Sequence, residues 1–162
     1  MLNYIQDVTS PSRVVPVYSG RWWRLSVGDR FDRFPIEQDQ LEAAVDGLCD
    51  EVLGTTASFQ DVLEDAAAQT ISAVRAPIYG YPTTWESFWQ FSQDPSEFGE
   101  YGPAGNSFGD RTEFRCGEDE RCLMLKNDPL YQDFATARHI TAVIATMRAM
   151  ALMQLAERER DL

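Results

Sequence analysis

The feature that most constrains this chain is its C-terminal stretch. Asp128-Pro129 opens a run to Leu162 that holds no further Gly or Pro, and within 129–156 the only acid is Asp133, beside Arg138 and Arg148. Asp at an N-cap and Pro at the first helical position form a start signal, and nothing after them breaks a helix. The stretch therefore predicts one long helix over 129–160, with Glu157-Arg158-Glu159-Arg160-Asp161 as a solvated charged end. Roughly thirty helical residues make a rod about 45 Å long. Ile140, Val143, Ile144, Met147, Met150, Ala151, Met153 and Leu155 cover more than one stripe of it, and a helix apolar on several faces must be buried on several faces. A domain this small can hardly surround such a rod, so part of it is expected to meet another chain. Met147, Met150 and Met153, spaced by three, would give that contact an adaptable surface. The apolar run 140–156 is interrupted by Arg148 and is shorter than a spanning length of about 20 residues, so a buried or partner-facing helix is expected, not a membrane span.

The rest of the chain is acidic. Of 162 residues, 26 are Asp or Glu and 14 are Lys or Arg, a net charge of -12. That balance argues against direct binding to nucleic-acid phosphates or anionic membranes. Hydrophobic content of 44% separates the chain from a disordered acidic tail. Lys126 is the one lysine; arginine in its place reads as codon bias in a GC-rich genome or as adaptation to high salt, and the abundant aromatics speak against strong halophily. The N-terminus has no basic start and no apolar core of a signal peptide, so a cytoplasmic protein, or one incorporated in a particle or assembly, is expected.

The fold class expected is α+β. Residues 1–34 read as strands, with Val14-Val15-Pro16-Val17-Tyr18 and Arg21 to Val27 pairing around Ser19-Gly20. Leu41, Val45, Leu48 and Val52 mark one amphipathic helix over 36–53, and Phe59 to Val74 a second over 59–75, with Ser58 as N-cap and Asp61 three residues on. A linker of about five residues suggests antiparallel neighbours. Thr84 is a candidate cap for a short helix carrying Trp85, Phe88 and Trp89. Asp94 to Asp110 holds four glycines, two prolines and three aromatics without a period, a loop length that is usually functional or ordered by a neighbour. Thr112 to Lys126 reads as a β-hairpin. The division expected is a compact α+β domain over 1–128 and the long helix over 129–162.

No constellation names a reaction. His139 is the single histidine, which excludes multi-histidine metal sites, and a partly buried helical histidine is its plain reading. No Gly-x-Ser-x-Gly elbow is present. The loop 99–109 lacks the endings of phosphate-binding motifs. Asp29-x-x-Asp32 and Glu118-Asp119-Glu120 are read as solvated acids, since neither fits a calcium loop. Cys49 is read as a small buried hydrophobe. Cys116 and Cys122 would face one another across a hairpin with a five-residue loop, or lie diagonally as free thiols with a four-residue loop; free thiols or an incidental contact are expected.

The expected function is non-enzymatic: a structural or adaptor subunit of a multi-subunit assembly, a virion or phage particle among the settings, with homo- or hetero-oligomeric protein partners and no cofactor or metal. The candidate interface residues are Trp22, Trp23, Trp85, Trp89, Tyr101, Phe108, Ile144, Met147, Met150 and Met153, because Trp, Tyr and Met suit docking surfaces. An acidic inhibitor, immunity protein or chaperone for a basic partner is the alternative, and a small carboxylate-dependent enzyme the third reading.

Overall fold

A computed structural model describes residues 2–17, 28–47, 57–94 and 96–160. It has both helices and small antiparallel strand pairs and is α+β. In chain order the elements are α1 (Leu2–Asp7), α2 (Pro11–Val14), a 3-10 turn (Phe31–Arg33), α3 (Gln38–Asp46), α4 (Phe59–Arg75), a second 3-10 turn (Trp85–Ser87), β1 (Trp89–Gln90), β2 (Glu100–Tyr101), β3 (Thr112–Arg115), β4 (Arg121–Met124) and α5 (Pro129–Arg160).

The two long helices start where their capping residues place them. The Ser58 hydroxyl accepts from the Asp61 amide at 3.2 Å, and the Asp61 carboxylate accepts from the Ser58 amide at 2.8 Å. This reciprocal box satisfies two amides that a helix start otherwise leaves open, and it holds the Asp61 carboxyl below its ordinary range. At the head of α5 the Asp128 carboxylate accepts from the Leu130 amide at 3.0 Å.

The N-terminal segment differs from its expected strands. Leu2–Asp7 and Pro11–Val14 are helical, and among the described residues of the segment only Val17 makes a bridge, a parallel one to Gly99. Pro11 stands at a helical first position, where its fixed φ and missing amide are no loss. Strand preference in a β-branched run is mainly a preference for a half-buried pleated surface; here Ile5 and Val15 are instead buried completely, each in a different apolar cluster. The second expected strand, 21–27, lies outside the described residues.

α3 occupies the first half of the helix expected over 36–53; residues 48–56 lie outside the described set, Cys49 among them. α3 buries no residue completely. Among the described residues α3 and α4 each pack more closely on α5 than on one another.

Among the described residues two apolar clusters form the core. The larger is aromatic and includes Phe31, Trp85, Phe88, Trp89, Phe108, Phe114, Tyr131 and Phe134. The smaller joins Ile5 of α1, Val62 and Ala66 of α4, and Ala145 and Ala149 of α5. α5 contributes to both, so packed residues lie on either side of the 128/129 boundary.

Residues 96–110 pack against other parts of the same chain. A Cβ at Gly99 would stand 2.7 Å from the carbonyl oxygens of both Gln90 and Val15. Gly109 has φ +84, and a side chain there would strike the Phe34 ring. These glycines let backbone and ring approach closely.

The hairpin pairs Thr112 with Met124, Phe114 with Cys122 and Arg115 with Arg121, so Cys122 stands opposite Phe114. The Cys116 amide donates to the Glu120 carbonyl at 3.1 Å, so Cys116 lies diagonal to Cys122. The two are nonetheless joined by a disulfide, Cα to Cα 5.7 Å, where free thiols had been the expectation. A diagonal spacing within the usual disulfide range of about 4.4–6.8 Å suffices, and both side chains are buried. Loop closure over so few residues is worth about 2 kcal/mol. Urea unfolding with and without a phosphine reductant should differ by that amount, and Cys116→Ser should match the reduced protein; coincident curves would show that the crosslink contributes nothing.

Candidate functional site

The candidate interface residues part company in the structure. Trp22 and Trp23 lie outside the described residues. Trp85, Trp89 and Phe108 are 6%, 1% and 2% exposed and form the core itself, so they offer no surface to a partner. Trp85 reaches within 4.4 Å of the Phe134 ring centroid, and Phe108 within 4.8 Å of Tyr131. Tyr101 is half-buried and its hydroxyl donates to the Asp29 carboxylate at 3.0 Å. Ile144, Met147 and Met153 are half-buried, and Met150 is exposed.

Asp29 corrects a second expectation. It is buried where solvation was expected, and its carboxylate also accepts from the Phe31 amide and the Trp89 indole, each at 2.8 Å. Burial pushes its carboxyl above the ordinary range against the opposing pull of these donors. With three acceptor contacts already used inside the core, Asp29 is a structural tie. Asp32 is exposed and accepts from the Ser10 hydroxyl at 2.9 Å. Glu118, Asp119 and Glu120 are exposed on the hairpin loop, as expected.

The surface of α5 presents two distinct features. Among the described residues Leu152 is the last of its residues packed against either cluster, while Met150 and Leu155 are 45% and 50% exposed. From Pro129 to Arg158 the helix is long and apolar enough, by length and composition, to cross a bilayer. In the structure α1, α3 and α4 pack along it.

The second feature is a pocket of about 400 Å³ between the α1–α2 corner, the Phe31 turn and the middle of α5. Phe31, Ala142, Val143 and Met147 supply apolar wall, and Arg138 and His139 line it together with Ser10 and Asp32. His139 Nδ1 stands 2.8 Å from the Ala135 carbonyl, and its ring lies 5.8 Å from that of Phe31. This is the partly buried helical histidine that the sequence suggested. Arg138 was legible only as its neighbour. Yet Nε and Nη1 of Arg138 are shut off from solvent with no hydrogen-bond partner among the described residues, and desolvation lowers its pKa. A signal for it does exist in the sequence. Tyr131, Ala135, Arg138, Ala142, Ala145, Ala149 and Leu152 follow alternating steps of four and three, so an arginine occupies a position of the inward stripe.

Among the described residues no group of three or more His, Cys, Asp or Glu is placed to hold a metal ion. Comparison with protein-family models, curated proteins and solved structures gives no match.

Proposed function

We propose that this chain is a non-enzymatic structural or adaptor subunit that assembles with protein partners through the C-terminal part of α5, and that its first partner is a second copy of itself. The carrying observation is the exposure of Met150 and Leu155 on the last turns of the helix, to either side of Leu152. The charge pattern supports it. In a chain of net charge -12, no acid occurs between Asp133 and Glu157, so two copies meeting here keep their acidic surfaces apart. Antiparallel pairing of two such ends would set Met150 against Leu155 of the second copy and Arg148 near its Glu157. The acids carried by α4 beside the same helix, Asp61, Glu64 and Asp65, are exposed, which favours an aqueous protein contact over a bilayer. Of the two settings expected, the disulfide favours a particle or assembly over a reducing cytoplasm.

Light scattering and sedimentation on the full chain test this reading. The wild type should associate in a concentration-dependent way, and Met150→Glu with Leu155→Glu should give monomers whose melting temperature matches that of the wild type at dilutions where it too is monomeric, since both sites are exposed. A wild type that stays monomeric at every concentration would overturn it.

A further inference from the structure

We infer that the pocket between the α1–α2 corner and the middle of α5 binds a small monocarboxylate carrying an apolar body, with Arg138 as the group that receives the carboxylate. The first support is an unmet electrostatic demand. A guanidinium is permanently charged and offers five donors in a planar fork. At Arg138 two of its nitrogens are buried and unpartnered among the described residues, and none of the ion pairs there involves it. Asp32 lines the same pocket but lies outside ion-pair reach, its Oδ1 engaged by Ser10. Removing a charge from water without a partner is costly. Nη2, the guanidinium nitrogen that is not shut off from solvent, is the one a carboxylate in the pocket reaches, and a charge-assisted hydrogen bond there meets the demand.

The second support is the shape and lining of the space. A volume of about 400 Å³ falls within the range of small-molecule sites, which are mostly apolar with a few placed polar groups. Ala142, Val143 and Met147 follow Arg138 by four, five and nine residues along α5 and line the same pocket. A ligand anchored at Arg138 therefore has apolar wall beside it for its body. A bare anion would leave that wall unused, and an uncharged hydrocarbon would leave the guanidinium unmet. The site is independent of the helix end assigned to assembly, and either could fail without the other.

Titration calorimetry and amide NMR with octanoate, 1-octanol and inorganic phosphate test the inference on the full chain. Octanoate should bind and shift the amides of Ala142, Val143 and Met147. 1-Octanol and phosphate should bind at least ~10-fold more weakly, because one lacks the charge and the other the apolar body. Arg138→Met should weaken octanoate by ~10- to 100-fold while leaving the melting temperature equal or higher, since it removes a buried unpaired charge. Arg138→Lys, which keeps the charge without the fork, should fall between wild type and Arg138→Met, and it serves if the methionine variant does not fold. L-Leucine separates two carboxylate sources: tighter binding than 4-methylpentanoate would identify an amino acid, with Asp32 facing its ammonium, and the reverse would identify a simple acid. Equal binding of octanoate and 1-octanol, unchanged octanoate affinity in Arg138→Met, or no octanoate binding would each overturn the inference.

Discussion

Phe108→Ala should lower the unfolding free energy by about 4 kcal/mol, the range for deleting a fully buried phenylalanine. For a chain of this length that is a fall in melting temperature of roughly 8–16 °C. Phe108 is 2% exposed and its ring meets those of Phe31, Phe34, Trp85, Phe88, Trp89, Tyr131 and Phe134. These rings come from the Phe31 turn, the Trp85 segment and α5, so the cavity left by alanine would open where three distant parts of the chain meet. Rings packed edge to face cannot collapse into it without losing their own contacts. Tyr79→Ala is the control, because Tyr79 is 87% exposed and its loss should stay within ~0.5 kcal/mol. Thermal unfolding of both variants decides the matter; a Phe108→Ala loss no larger than the Tyr79→Ala loss would mean that the aromatic cluster is not the core.

Asp29→Ala should cost about 3 kcal/mol. It strands the Phe31 amide, the Trp89 indole and the Tyr101 hydroxyl, the first two inside the core, and each orphaned buried donor costs roughly 1–3 kcal/mol. Asp29→Asn retains one acceptor oxygen and should lose less. The two variants also expose a pH effect. Burial raises the Asp29 carboxyl above its ordinary 3.8 in the folded state. The folded protein therefore holds this proton where the unfolded chain has released it, and stability falls as pH rises from the ordinary value through the raised one. The stability difference between wild type and Asp29→Asn should shrink across that window with rising pH. A difference that grows with pH would mean that the three donors outweigh burial and hold the carboxyl down.

These two side chains also mark the limit of what the sequence discloses. Phe108 stood out, as did Trp85 and Trp89, but as surface anchors. Aromatic side chains serve cores and interfaces alike, and local spacing does not distinguish the two. Asp29 reads in the sequence as a solvated acid. Its donors Trp89 and Tyr101 lie 60 and 72 residues away, beyond any periodicity or capping rule. Arg138 falls between these cases, since its place on an inward stripe was readable but its want of a partner was not.

What the sequence determined by itself is local. The α4 helix begins at the Ser58–Asp61 box, α5 begins at Asp128-Pro129, and the hairpin turns at the acidic loop, because caps, breakers and strand turns act among residues a few positions apart. What only the tertiary structure decided is which groups are withdrawn from water. The buried Trp85 and Trp89, the three-donor Asp29 and the unpartnered Arg138 all depend on segments distant in sequence meeting in space. Burial is a property of that meeting and not of any one segment, which is why the helix ends could be read and the inside could not.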